Sequence, residues 1–165
     1  MKLLVFSDSH SSHSFMRWCV DKIKPQGIIH LGDHYSDGQV LQEENPMLPF
    51  VQVPGNCDRY RCPFGAPETV KCRFGDVIFF ITHGHNHHVK SGIGALLADA
   101  RRSQAQIVLY GHTHRADCHR EDDGLWVMNP GTCGSWGGSV GQIIIENGTI
   151  VDCRILRQED MEAME

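Results

Sequence analysis

The stretch QIVLYGHTHRAD, residues 106–117, joins an apolar run to a pair of histidines. The run from Ile107 to Tyr110 has the length and composition of a buried strand, and Gly111 ends it. His112 and His114 follow with one threonine between them. Because histidine is the commonest metal-binding side chain, we ask whether other strands of the chain end in the same way.

Four further apolar runs end in residues that can bind a metal. They are KLLVFS before Asp8-Ser9-His10, GIIHL before Gly32-Asp33, FVQV before Pro54-Gly55-Asn56, and VIFFIT before His83-Gly84. The carboxyl ends of strands in open α/β sheets meet at one crevice, where ligands bind. Glycine beside a ligand lets the backbone turn sharply and approach closely. The five strand ends therefore predict one metal site. Its oxygen and imidazole ligands, without thiolates, suit catalytic Mn²⁺, Fe or Zn²⁺ better than structural zinc.

The rest of the chain predicts an α/β fold with mixed sheets. Apolar spacing favours helices over 11–23 and 91–102, and three hairpins are expected to turn at 75–76, 123–124 and 147–148. The longest loops are expected at 34–49 and 57–67. We expect a single domain over 1–157, followed by an acidic, loose tail over 158–165.

Composition excludes several classes of protein. A formal net charge of −5 without any basic run argues against general nucleic-acid binding. No stretch approaches the roughly 20 apolar residues of a membrane span. The seven cysteines are scattered and form no C-x-x-C pair, a pattern typical of reduced thiols, so we expect a cytoplasmic protein.

The motifs D-x-H, G-D, G-N, H-G and G-H-T-H occur in this order, each after a strand. With GNCD (55–58) and NPGT (129–132), the series resembles the calcineurin-like metallophosphoesterase superfamily and its compact YfcE-type phosphodiesterase branch, from residue 1 to about residue 157. The resemblance implies two facing mixed β-sheets flanked by helices, a metallophosphoesterase-like four-layer sandwich. It also implies a phosphodiesterase in which a metal-bridging hydroxide attacks the diester. The cofactors would be two divalent ions, Mn²⁺ first, with Ni²⁺, Fe²⁺, Zn²⁺ or Mg²⁺ as alternatives.

The family pattern divides seven side chains between two ions. It implies one ion held by Asp8, His10, Asp33 and His114, and a second held by Asp33, Asn56, His83 and His112. Asp33 would bridge the two. His83 is preferred to His85 as a ligand because it directly follows the strand, and His85 is expected to line the site.

Cys57 departs from the superfamily pattern, which carries a histidine there in G-N-H-[D/E]. A thiol with a pKa near 8.5 is a poor replacement for a group that protonates the leaving group. The departure predicts dependence on good leaving groups, or an acid recruited from His10, His34 or His85. Asp58 is expected to orient a neighbouring group.

Two alternatives stay open at this point. The chain could be a non-catalytic, metal-binding interaction scaffold of the same fold, like the small subunit of the retromer coat, although all seven ligand positions carry competent residues. It could also be a phosphomonoesterase or a nucleotide hydrolase. The expected partner is a small phosphodiester or nucleotide, which Arg59, Tyr60 and Arg61 could contact, with self-association to a homo-oligomer also open.

Overall fold

The computed structural model describes residues 1–134 and 137–164. Two five-stranded mixed sheets form its centre. The first sheet has the order β10-β9-β1-β2-β3, with strands β1 Lys2–Phe6, β2 Gly27–His30, β3 Phe50–Gln52, β9 Ser139–Glu146 and β10 Thr149–Arg157. The second has the order β4-β5-β6-β8-β7, with strands β4 Thr69–Phe74, β5 Val77–Thr82, β6 Ile107–Leu109, β7 Asp117–Arg120 and β8 Trp126–Asn129.

Each sheet combines parallel and antiparallel pairs. Strand β1 pairs in parallel with β2, which pairs in parallel with β3, and β1 pairs antiparallel with β9. In the second sheet β5, β6 and β8 are parallel neighbours, whereas β4 and β7 run antiparallel at the two edges. The three expected hairpins are present as β4–β5, β7–β8 and β9–β10.

Alternation along the strands explains why the apolar runs are continuous. In β1, Leu3 and Val5 enter the core between the two sheets, whereas Leu4 and Phe6 pack under helices. Helices α1 His13–Ile23, α2 Tyr35–Glu44 and α4 Gln158–Glu162 contribute Met16, Leu41 and Met161 to that outer cluster. Helix α3 Gly94–Arg102 covers the second sheet through Leu96 and Ala100. The layers are helix, sheet, sheet and helix, as the resemblance implied.

Two segments differ from the sequence-based expectation. Residues 35–44 were expected as loop but form α2. The sequence did not indicate this helix because its buried residues, Tyr35, Gly38 and Leu41, come only once per turn and form no strong apolar stripe. The tail was expected to be loose, but residues 158–162 form α4, and Met161 is fully buried in the outer cluster. The segment was not recognised as ordered because acidic residues surround Met161, its single buried apolar residue. Residue 165 of the expected tail lies outside the described residues.

The helix starts also differ by two or three residues, since α1 begins at His13 and α3 at Gly94. Among the described residues, no helix is long and apolar enough to cross a membrane.

Candidate metal centre

The predicted ligands follow strands of both sheets, and most of them occupy a left-handed backbone conformation. The φ angles of Asp8, His10, Asp33, His112 and His114 are 52°, 42°, 57°, 67° and 60°. This region is uncommon for residues other than glycine, and such residues cluster at ligand-binding sites where the surrounding structure holds them. The turns after β1, β2 and β6 therefore use a strained backbone to aim these side chains.

Two groups of side chains are close enough to hold a metal ion. Asp8, His10 and His114 form one, and Asp8, Asp33 and His83 form the other, with the ligand atoms of each group within 4.8 Å of one another. Asp8 belongs to both groups, whereas the family pattern implied that Asp33 bridges. The structure thus brings five of the seven predicted ligands into two adjoining groups.

The His83 ring is oriented towards the other predicted ligands. Its Nδ1 atom lies 2.7 Å from the carbonyl oxygen of Leu31, so Nδ1 carries the proton and donates it. The Nε2 atom on the other side of the ring lies 3.1 Å from Asn56 Oδ1 and 3.5 Å from Asp33 Oδ2. One imidazole nitrogen and two oxygens that converge in this way are ligand atoms that a divalent cation accepts.

Unpartnered buried atoms support the same fit. Within the described part of the chain, Asp8 Oδ1 and His10 Nε2 are buried and have no hydrogen-bond partner. His114 Nε2 lies 3.1 Å from Asp8 Oδ1, yet the arrangement is not that of a hydrogen bond. Buried polar atoms left without partners are costly, and metal coordination is one way to satisfy them. These residues fit a metal ion.

Neighbouring groups fix the Asp8 carboxylate. The Ser7 hydroxyl donates to Asp8 Oδ2 at 2.5 Å, and the backbone N–H of His112 donates to the same oxygen at 3.2 Å. The Thr132 hydroxyl donates to the Asp8 carbonyl at 2.8 Å. Oδ2 is therefore engaged by the protein and Oδ1 is left for a ligand. No sequence pattern singled out Ser7, whereas Thr132 belongs to the NPGT motif.

Asp33 is held as a carboxylate. Burial raises its pKa, but the His83 imidazole and the backbone N–H of Cys57, which donates to Asp33 Oδ1 at 2.9 Å, more than offset burial. The pKa of Asp33 is therefore lower than usual. A carboxyl group that stays ionised at neutral pH is ready to bind a cation.

Asp58 joins the two loops that carry Asp33 and Asn56. It is 1% exposed, and its carboxylate accepts the backbone N–H groups of Asp33 at 2.9 Å, Gly55 at 2.8 Å and Tyr35 at 2.9 Å. Both of its oxygens are occupied by the backbone, so it is placed to orient these loops.

Glycines bring the loops into direct contact. A Cβ atom on Gly55 would lie 2.1 Å from Asp33 Oδ1, and one on Gly111 would lie 2.0 Å from Ser7 Oγ. No side chain fits at either position without moving a residue of the centre. Gly55 and Gly111 therefore allow the close approach of neighbouring loops that was predicted from the sequence.

The remaining predicted residues lie around the two groups. The His112 ring is 5.1 Å from the His83 ring and 6.1 Å from the His85 ring, centre to centre. Burial, followed by the neighbouring His83, lowers the pKa of both His85 and His112. Cys57 is exposed, and the Asn56 amide lies 3.7 Å from its sulfur. His34 packs edge-on against His10, with ring centres 5.0 Å apart.

A chain of side chains that sequence reasoning missed holds the loop after β1. Gly32 N–H donates to His30 Nδ1 at 3.2 Å, and His30 Nε2 lies 3.0 Å from Ser9 Oγ. Ser9 Oγ in turn donates to Asp37 Oδ2 at 2.7 Å, an oxygen that also accepts the Ser11 N–H at 2.8 Å. Asp37 lies in α2, which was expected as loop, so its role had no visible sequence signal.

Asn129 of the NPGT motif supports the turn that carries His112 and His114. Its side-chain amide donates to the Gly111 carbonyl and to Thr113 Oγ1, each at 3.0 Å. Its Oδ1 atom accepts the Gly131 N–H at 3.0 Å. All hydrogen-bonding atoms of this buried amide are thus used to fix the turn.

Solved structures of other proteins have the same fold. An uncharacterised protein of Streptococcus pneumoniae, described as a predicted phosphoesterase, is 24% identical with a TM-score of 0.76, over 96% of this chain and 90% of that one. Vps29 of Entamoeba histolytica, solved in complex with Zn²⁺, is 19% identical with a TM-score of 0.71, over 95% of this chain and 99% of that one. At these identities the likeness shows the fold alone.

Sequence comparison shows the family. Phosphodiesterase MJ0936 of Methanocaldococcus jannaschii is 30% identical over 148 residues, which are 81% of this chain and 84% of that protein. The model of the calcineurin-like phosphoesterase superfamily domain matches residues 1–147. That match includes all seven predicted ligands and both close groups of side chains. The chain is a member of the calcineurin-like phosphoesterase superfamily.

Proposed function

We propose that this protein hydrolyses phosphate diesters with two divalent ions held by Asp8, His10, Asp33, Asn56, His83, His112 and His114. The observation that carries the proposal is the buried cluster of Asp8, Asp33 and His83, whose ligand atoms lie within 4.8 Å of one another. The name of the Methanocaldococcus relative, a phosphodiesterase, supports the choice of diesters.

The chain's own residues supply position and charge. Divalent ions, when bound, polarise phosphoryl oxygens and make water a stronger nucleophile at neutral pH. The hydrogen bond to Leu31 holds His83 in one tautomer, and Ser7 holds Asp8 in one orientation. The low pKa of Asp33 keeps its carboxylate charged. A centre fixed in this way needs little rearrangement during the reaction.

Two groups beside the centre, Cys57 and His85, are poorly suited to act as an acid at neutral pH. Desolvation and the nearby Asp33 carboxylate raise the pKa of the Cys57 thiol, and burial lowers the pKa of the His85 imidazole. Neither group readily protonates a departing alkoxide. We therefore propose that the enzyme favours diesters with good leaving groups, as the cysteine in GNCD suggested.

Three finer points extend the proposal. Nitrogen and oxygen ligands accept several divalent ions, and we propose Mn²⁺ as the first to test. We place the protein in the cytoplasm because all seven cysteines are free thiols. We expect a small diester or nucleotide as substrate, because a cavity of about 670 Å³ borders the proposed ligand Asn56 and His85.

Hydrolysis assays test the proposal against its alternatives. Metal-stripped protein is titrated with Mn²⁺, Ni²⁺, Mg²⁺ or Zn²⁺ and assayed on bis(p-nitrophenyl) phosphate and on p-nitrophenyl phosphate. We expect metal-dependent cleavage of the diester that disappears in Asp33→Asn and persists in Asp122→Asn, a change on the exposed surface. Preference for the monoester would indicate a phosphomonoesterase, and metal binding without turnover would favour the scaffold function.

A further inference from the structure

The cavity beside the metal centre has two exposed aromatic side chains in its wall. It borders Asn56 and His85 on the side of the centre, and the loop of residues 59–66 forms the opposite wall. Within this loop, Tyr60 is 88% exposed and Phe64 is 108% exposed. Two largely exposed aromatic rings at the edge of a cavity are available for a contact that the chain itself does not make.

Charge indicates what fills the cavity. Its lining carries one lysine or arginine side chain, Arg59, and one carboxylate, Glu68, together with His85. The Arg59 guanidinium lies 5.6 Å from the centre of the Tyr60 ring, and Glu68 accepts a hydrogen bond from Asn86 at 2.5 Å. With no surplus of positive charge, the cavity is poorly suited to a second phosphate. Arg61, a candidate contact from the sequence, is not among the lining residues.

We propose that this cavity binds a planar aromatic ring on one arm of the substrate, and that Tyr60 and Phe64 are its specificity-determining residues. The position of the ring relative to the phosphate rests on the proposed function, because the cavity joins the metal centre at Asn56 and His85. Stacking on an exposed aromatic side chain accepts any flat ring, and an Arg guanidinium adds a cation–π contact. The ring is either a nucleobase or a simple aryl group.

Binding measurements test this site without relying on turnover. The Mn²⁺-loaded protein is titrated by calorimetry with AMP, phenyl phosphate and methyl phosphate, which share a phosphate monoester and differ in the ring. The variants are Phe64→Ala and Tyr60→Ala, both at exposed positions where folding does not depend on the side chain. Met47→Ala is the matched control, since Met47 is an apolar side chain 91% exposed that does not line this cavity.

We expect the ring-bearing ligands to bind more tightly than methyl phosphate, and either aromatic variant to weaken them by about 5- to 100-fold while methyl phosphate is unaffected. Met47→Ala should change none of the three. Tighter binding of AMP than of phenyl phosphate would identify the ring as a nucleobase, and the reverse order would identify an aryl group.

The proposal is overturned if both aromatic variants bind AMP and phenyl phosphate as the wild type does, or if methyl phosphate loses affinity in parallel. These outcomes are separate from the hydrolysis assay. A protein that binds rings through Phe64 but cleaves no diester contradicts the proposed function alone, whereas one that cleaves diesters with no dependence on Phe64 or Tyr60 contradicts the ring site alone.

Discussion

The Nδ1 atom of His83 lies 2.7 Å from the carbonyl oxygen of Leu31, and this contact determines what the other side of the ring can do. Leu31 follows β2 in the first sheet, whereas His83 follows β5 in the second, so the hydrogen bond also links the two sheets at the metal centre. A ligand histidine commonly donates its second N–H to a carbonyl in this way, which fixes its tautomer and orientation.

Removal of this imidazole should disable the centre. We expect His83→Ala to lower diester turnover by more than about 100-fold, beyond the effect typical of residues that only support a ligand. His119→Ala is the matched control, because His119 lies on β7 outside both metal-binding groups. Equal turnover in the two variants at saturating Mn²⁺ would show that His83 is not a ligand.

Asp58 should contribute to stability through the three backbone N–H groups that it accepts. Loss of a buried charged acceptor leaves these donors without partners, so we expect Asp58→Ala to lower the free energy of unfolding by roughly 3 kcal/mol or more. Urea denaturation of the metal-free protein measures it. Asp122→Ala, at an exposed position, should change it by less than about 0.5 kcal/mol. A similarly small effect of Asp58→Ala would contradict the account.

His30 should make the metal-free protein sensitive to acid. Burial lowers the pKa of this fully buried imidazole to about 4. Since the ordinary pKa of histidine is about 6.5, the unfolded chain binds more protons than the folded chain between about pH 4 and 6.5, and stability falls as the pH falls through that window. The full shift corresponds to about 3 kcal/mol.

The variant His30→Gln isolates this contribution, because glutamine does not titrate. Urea midpoints measured at several pH values should fall less steeply in His30→Gln than in the wild type between pH 6.5 and 4. Parallel curves for the two proteins would mean that His30 does not remain neutral in the fold.

Cys57 should limit the range of leaving groups. Since its pKa is raised, the thiol is a weak acid, and Cys57→His restores the residue that the superfamily pattern has at this place. We expect Cys57→His to have little effect on turnover of methyl p-nitrophenyl phosphate, which has a good leaving group. The same variant should increase turnover of a dialkyl or dinucleotide diester, which has a poor one. Cys57→Ala should leave p-nitrophenyl turnover within about threefold. A large loss in Cys57→Ala would assign the thiol a direct part in the reaction.

The C-terminal helix should matter to stability through one residue. Met161 is fully buried, whereas Met164 is 42% exposed. Met161→Ala should therefore lower the free energy of unfolding by about 2–5 kcal/mol, and Met164→Ala should lower it far less. Equal effects in a thermal or urea titration would mean that the tail does not pack as described.

The centre could be located from the sequence because short-range patterns define it. Each predicted ligand lies in the turn that follows an apolar run, and parallel strands of a sheet place such turns at one edge. The sequence did not show how the side chains divide between the two close groups. Asp8 belongs to both close groups, and this depends on the bend of three turns relative to one another, which no spacing in the sequence encodes.

Supporting residues were hard to predict for a related reason. Ser7, Asp37 and Asp58 act on atoms 1 to 28 residues away, through hydrogen bonds that depend on how the loops pack. Helix α2 was missed because packing against Gln52 and the core stabilises it without a strong apolar stripe. Tertiary contacts, absent from any local pattern, decide these features.

The central claim is best tested by counting metal ions and turnover together. Protein reconstituted with Mn²⁺ and freed of excess metal is analysed for bound manganese and assayed on bis(p-nitrophenyl) phosphate, beside Asp33→Asn prepared identically. We predict two ions per wild-type chain, diester cleavage that increases as the second ion binds, and loss of cleavage in Asp33→Asn. Two tightly bound ions without any diester cleavage would contradict the enzyme and leave a metal-binding scaffold.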